Sequence, residues 1–238
     1  MILLLFGLAF AGDTFTNATA ALAAGDLAGA EAGYRATLEA GDTGGTVWYN
    51  LGNVLYRQGK VGASVLAWRT AASRLPRDPD VQANLGFARR GLRDKLEVPA
   101  PHPTFAPWQV AMTADEGMWL GGALAGLGLG LLAARGRAPQ LPMVGVGGSL
   151  VVVGLVVGAG GVAHGRLPPV AVVLAPEVTA TSDLGGGVDL FTLHVGAEVR
   201  SVEEEAGKVQ ILLPDGRRGW VSADQLGLVD ADRPFPVL

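Results

Sequence analysis

Three histidines, His102, His164 and His194, are the side chains of this sequence that could exchange protons near neutral pH. They fall in a proline-rich stretch, at the end of an apolar run and in a β-type segment, and no two have the spacing of a metal site. Cysteine is absent, which excludes disulfides and thiolate ligands. Glu203-Glu204-Glu205 could supply paired carboxylates for acid–base work, but the run abuts Ala206-Gly207 and reads as a solvated hairpin end. Gly126-Leu127-Gly128-Leu129-Gly130 imitates a phosphate loop, yet it lies inside an apolar run with no lysine partner. No G-x-S-x-G is present. The expectation is a chain that is not an enzyme, with no catalytic residue, no metal and no cofactor.

What remains is recognition. Asn50, Asn53 and Arg57 stand at i, i+3 and i+7, and Asn84 repeats Asn50 34 residues on, with Arg90 and Arg93 nearby. An Asn amide can hold an extended peptide backbone, and an Arg can take a carboxylate. These residues form the candidate peptide-binding groove: Asn50, Asn53, Arg57, Asn84 and Arg90. The other reading is a solvated helix face with structural Asn residues, and the sequence leaves both open.

The elements that carry them follow from an internal repeat. Asn50-Leu51-Gly52 recurs as Asn84-Leu85-Gly86, an offset of 34. Gly25 and Gly59, Ala30 and Ser64, Tyr34 and Trp68, and Thr37 and Ala71 keep the same offset. A period near 34 is that of a two-helix repeat. Residues 13–97 then read as helices over 14–24, 27–40, 46–57, 61–75 and from Asp78 to about Leu96. Gly25-Asp26, 41–45, Gln58-Gly59 and Pro76 serve as breaks, and Asp78 or Asp80 as an N-cap. Trp48, Leu51 and Leu55 make an inward stripe. Gly52 and Ala71 allow close helix approach, and Trp68 fills the space between.

Hydrophobic residues are 49% of the 238 and charged residues 17%, which calls for membrane segments. Residues 117–134 and 141–163 are uncharged and long enough to span a bilayer, about 27 and 34 Å as helices. Gly122, Gly126 and Gly130, and Gly154 and Gly158, form small-xxx-small rows suited to pairing the two spans or to recruiting another membrane helix. The loop 135–140 holds Arg135 and Arg137 and no acid, so the positive-inside rule puts it in the cytoplasm. Residues 1–12 are an apolar run ending Ala9-Phe10-Ala11, a cleaved leader or an N-terminal anchor. Both flanking regions are then extracytoplasmic. Residues 98–116 read as a proline-rich spacer leading into an interfacial segment with Trp108, Met112 and Trp119. Net charge is −4 with no long basic patch, so nucleic acid is not an expected partner.

Residues 170–230 change to short β segments separated by turns: 170–174, 178–181, 189–193, 198–203, 208–213 and one beginning at Gly219. A 3-10 turn follows at 223–226, and the pattern is that of a small barrel. Trp220 serves there either as core or as a wall- or peptide-binding surface.

Through Trp48, Leu51, Gly52, Gly59, Trp68, Ala71 and Pro76, residues 13–97 resemble the tetratricopeptide family. Through Val195-Gly196-Ala197-Glu198-Val199 and Leu213-Pro214-Asp215-Gly216-Arg217-Arg218-Gly219-Trp220-Val221, residues 170–230 resemble bacterial SH3-like domains. Ala180-Thr181-Ser182-Asp183 stands where that family carries Asn-Val-Arg-Ser. The expected fold class is thus multidomain: an all-α tetratricopeptide solenoid, a two-helix transmembrane hairpin and a small all-β SH3-like barrel. The order of segments resembles BatE-like proteins of the aerotolerance operon type. That resemblance implies an inner-membrane scaffold working beside von Willebrand factor A domain membrane proteins and a MoxR-type ATPase. The rival expectation is a cell-wall sensor, with the barrel binding peptidoglycan.

Overall fold

Gly25 and Gly59, equivalent in the repeat, both adopt φ near +80° (81° and 80°) in tight turns between antiparallel helices. A left-handed backbone favours glycine at such turns. The computed structural model describes residues 2–94, 96, 112–134, 143–165 and 167–229. The predicted linker (apart from residues 112–116), His102, Trp108 and the loop 135–140 lie outside them. Two units result, residues 1–98 with 168–238, and residues 99–167.

In the first unit, α1 (Ile2–Ala23), α2 (Leu27–Glu39), α3 (Gly45–Arg57), α4 (Val61–Arg74) and α5 (Pro79–Gly91) stack in sequence. Where the sequence divides a leader from a helix beginning at Thr14, α1 runs unbroken. Repeat partners occupy equivalent places: Tyr34 and Trp68, Ala30 and Ser64, and Thr37 and Ala71 are all buried. A Cβ on Gly52 would fall 2.5 Å from Trp68 Cδ1, so the indole is seated on bare backbone. The first pair is polar where the second is apolar. Thr14 accepts a 3.1 Å hydrogen bond from Thr37, and Thr19 bonds the Tyr34 hydroxyl at 3.1 Å. Asp26 caps α2 by accepting from Gly29 N, and Asp78 caps α5 by accepting from Asp80 N and Val81 N, with Pro79 in the first turn. Glu31 on α2 takes Lys60 and Arg35 at 3.0 and 2.9 Å. Burial works to raise its carboxyl pKa, but donated hydrogen bonds outweigh that and hold it below the usual value.

α5 ends at Gly91, five residues before the expected Leu96. Leu92 turns extended and buries against Gly196, which leaves no room for a Cβ. Asp94 accepts from the backbone N of His194 and lies 3.1 Å from its Nδ1. Tertiary capture of the chain ends the helix there, not local propensity.

The C-terminal strands are β1 (Val170–Val173), β2 (Glu177–Thr181), β3 (Asp189–His194), β4 (Glu198–Glu205), β5 (Lys208–Leu212), β6 (Arg218–Ser222) and β7 (Leu226–Leu228). They form one antiparallel sheet in the order β3-β2-β6-β5-β4-β1-β7, open between its edges β3 and β7. β4 extends through Glu205 because the turn is confined to Ala206 and Gly207, both at positive φ. Glu203–Glu205 are exposed, Glu203 and Glu204 paired to β5 and Glu205 opposite Lys208. β7, which the sequence reading passed over, pairs with β1.

β1 joins the two layers. Ala171 and Val173 enter the sheet core, while Val172 and Leu174 enter the helical core. With side chains alternating along a strand, only a strand buried on both faces does this. α4 packs on it: a Cβ on Gly62 would sit 2.8 Å from Val195 Cγ2 and 2.9 Å from the Val173 carbonyl.

The second unit is a hairpin of α6 (Ala114–Ala134) and α7 (Met143–Gly165). Thr113 and Glu116 cap α6 reciprocally, the Thr113 N–H donating to the carboxylate and the Glu116 N–H to the hydroxyl. Both helices are long and apolar enough to cross a membrane, with mean hydropathies of 1.6 and 2.1 over their spanning windows. The glycine row predicted to pair them is not the one used in α6. Gly122, Gly126 and Gly130 face open space. Contact runs through Gly117, Gly121, Ala125 and Gly128 on α6 and Gly147, Gly154 and Gly161 on α7, where helix backbones touch. Gly147, Gly154 and Gly161 recur every seven residues, the period of left-handed helix pairing. On α7 the predicted Gly154 and Gly158 both lie in the seam: a Cβ on Gly121 would collide with Gly158 N and fall 2.6 Å from the Gly154 carbonyl.

Candidate functional site

The face built by α3 and α5 carries the predicted groove residues. Asn53 Oδ1 accepts two hydrogen bonds, from Trp68 Nε1 at 3.1 Å and from Asn84 Nδ2 at 2.8 Å. Two donors on one atom fix the orientation of the Asn53 amide. Asn84 Nδ2 also approaches the Tyr49 hydroxyl at 3.4 Å. Each amide therefore has half its capacity engaged. Asn53 Nδ2 keeps its donors and Asn84 Oδ1 keeps its acceptor, neither matched among the described residues. One donor beside one acceptor is what a peptide unit in extended conformation requires.

An aromatic row borders the amides. Trp68 lies 5.4 Å from Tyr56, Tyr56 meets Phe87 edge-on at 5.8 Å, and Arg90 stands over Phe87 at 5.9 Å. Phe87 is 55% exposed, although it belongs to a residue type usually buried. Tyr56 and Phe87 were not singled out from the sequence. The signal was available, since Phe87 stands 34 residues after Asn53 and three after Asn84. Of the remaining predicted residues, Asn50 is half-buried on α3, and Arg57, Arg90 and Arg93 are exposed. Trp48, Leu51 and Gly52 are buried on α3, and Trp68 and Ala71 on α4. Gly59 makes the α3–α4 turn, and Pro76 lies in the α4–α5 connection. Gly86 repeats Gly52 but meets only the Arg90 side chain.

The sheet does not cover this face. Among the described residues it touches α4 through Gly62, Leu66 and Arg69, α5 through Arg89, and Leu92 just beyond the end of α5. At about 100° per residue, Arg89 lies roughly 160° around α5 from Phe87. The contact flank holds a second polar centre. Glu198 on β4 is 2% exposed, and Arg89 grips it with both arms, Nε to Oε1 at 2.6 Å and Nη2 to Oε2 at 2.9 Å. Arg69 Nε adds a contact to Oε2 at 3.3 Å. Hydrogen bonding to Glu198 raises the Arg89 pKa, whereas burial lowers that of Arg69. Trp220 is buried on β6 at 9% exposure. His194, bound to Asp94, works as a clasp between helices and sheet.

Among the described residues no group of three or more histidine, aspartate and glutamate side chains is gathered to hold a metal. The arrangement is suited to non-covalent recognition: an apolar, aromatic surface with an oriented amide pair and a terminal guanidinium. Compared with protein-family models, curated proteins and solved structures, the chain matches none.

Proposed function

We propose that this chain is a non-catalytic membrane scaffold that docks an extended segment of a partner protein on the α3–α5 face. The observation that carries the reading is the unmatched donor of Asn53 beside the unmatched acceptor of Asn84, bordered by exposed Phe87 and Arg90. A strand of partner backbone would satisfy both amides. An apolar side chain would cover Phe87, and a carboxylate would meet Arg90 or Arg57. The helices are read as tetratricopeptide repeats and the sheet as an SH3-like module, in a BatE-like assembly with von Willebrand factor A domain proteins and a MoxR-type ATPase.

The hairpin is read as two transmembrane passes in the inner membrane, with helices and sheet both extracytoplasmic. Its outward side chains support this: Leu127, Leu129, Val152, Leu155 and Val156 are all more than half exposed, a surface suited to lipid. The glycine-mediated packing of the two helices and the arginines of the intervening loop agree with it. The direct contact between helices and sheet supports their sharing one side.

The test is affinity purification of the full chain in mild detergent from its own membranes, comparing wild type with Asn84→Ala combined with Arg57→Glu and Arg90→Glu. The variant is expected to lose at least tenfold in recovery of the von Willebrand-type and ATPase partners while its helical circular dichroism is unchanged. Equal recovery by a folded variant would refute the docking face.

A further inference from the structure

β7 rests on α4, and the docking face begins on the other flank of the same helix. A Cβ on Gly227 would collide with Leu66 Cδ2, and Val229, just past β7, packs against the helical core. Val229 N donates to the Val170 carbonyl at 2.7 Å, which fixes where the strand hands on the chain. Trp68 stands two residues after Leu66 on α4, about 200° around the axis, and its indole donates to Asn53 on the docking face. A helix with its side chains is about 11 Å across, so a path halfway around it is about 17 Å.

Residues 230–238 come next in the sequence, outside the described residues: Asp230-Ala231-Asp232-Arg233-Pro234-Phe235-Pro236-Val237-Leu238. Five extended residues span about 17 Å, which brings Phe235 to the face. Its chemistry matches what it meets there. Proline lacks an N–H and fixes φ, and a residue before proline is held extended. Between Pro234 and Pro236, Phe235 therefore offers one N–H and one carbonyl on a backbone that is already straight. One donor and one acceptor are what Asn84 Oδ1 and Asn53 Nδ2 leave unmatched among the described residues. The Phe235 ring then covers Phe87, which is 55% exposed and stands edge-on to Tyr56.

We propose that residues 230–238 fold back around α4 and occupy the α3–α5 face through Phe235, so that a partner must displace them to dock. This rests on the docking reading above and adds a regulation of that same site. A tether this short holds the segment at an effective concentration on the order of millimolar. Weak contacts then suffice to fill the face, and a partner that makes more of them takes it over.

The test adds a fluorophore-labelled peptide of residues 230–238 to the purified full chain in mild detergent and reads anisotropy. The full chain carrying Phe235→Ala is expected to bind the peptide about fivefold more tightly than wild type, because its own segment no longer competes. Adding Asn84→Ala to that variant should abolish the gain. Phe87→Ser, at an exposed position, gives the same reading if Asn84→Ala fails to fold. Equal binding by wild type and Phe235→Ala, binding to neither, or a gain that survives the face substitutions would overturn the proposal. So would a dimer in native mass spectrometry that Phe235→Ala abolishes, since the segment would then sit on a second copy. Failure of the docking reading shows separately, as partner recovery indifferent to Asn84→Ala, Arg57→Glu and Arg90→Glu. Failure of the self-occupancy alone leaves that recovery sensitive and Phe235→Ala without effect.

Discussion

Replacing Glu198 by Ala is expected to unfold the helix–sheet contact before anything else. The substitution leaves Arg89 and Arg69 facing each other on a covered surface with their shared carboxylate gone. Removing one partner of a buried ion pair costs about 3–5 kcal/mol, and the lower end applies because the Arg89 side chain is 38% exposed and water screens it. In a unit of this size that lowers the melting midpoint by about 6–12 °C. Limited proteolysis should then cut between Gly91 and Val170 faster than in wild type. The triple variant Glu198→Leu with Arg89→Met and Arg69→Met should recover most of the loss, since packed apolar residues of similar volume commonly replace a whole buried ionic cluster at little cost. A Glu198→Ala protein that melts like wild type would show that Leu66, Leu92, Val172 and Leu174 hold the layers together unaided.

Gly154→Leu should break the hairpin, and Gly126→Leu should leave it intact. A Cβ on Gly154 would lie 2.5 Å from Ala125 N and 2.6 Å from the Gly121 carbonyl, main-chain atoms that cannot rotate aside. Overpacking of this kind costs about 3 kcal/mol or more. A Cβ on Gly126 meets nothing within 4 Å, and the cost stays within about 0.5 kcal/mol. Unfolding the full chain in mixed detergent micelles reads the difference. Equal midpoints for the two variants would mean the helices do not pair through the Gly121–Gly154 contact.

The same comparison shows where sequence reasoning stopped. Glycine spacing was legible, but spacing of four in α6 named Gly122, Gly126 and Gly130, whereas the antiparallel partner repeats at Gly147, Gly154 and Gly161. A row is selected by the geometry of the helix opposite, which a single segment does not contain. The helical repeat read well because its information is local: turn glycines, the Gly52–Trp68 fit and the Asp78 cap all act within a few tens of residues. The open sheet edge and the end of α5 read poorly, since Leu92 and Asp94 are held by residues about 100 positions away. The apolar run at 170–174 was the missed clue. Its lack of alternation signals a strand covered on both sides, and hence a second layer beyond the sheet core. Arg69, Arg89 and Glu198 could not be joined from sequence, because each resembles an ordinary surface charge until the fold brings them within 3.3 Å. In the candidate docking face the Asn residues were legible from the repeat, whereas the exposure of Phe87 and its edge contact with Tyr56 depend on how α3 and α5 pack.

Labelling the two soluble portions from outside the cell tests the central claim most directly. The chain has no cysteine, so Arg57→Cys and Asp215→Cys, both at exposed positions, each introduce a single thiol. A membrane-impermeant maleimide applied to intact spheroplasts should label both to the extent seen after lysis. Labelling of one position alone, or of both only after lysis, would contradict a scaffold whose helices and sheet stand together on the outer side of the membrane.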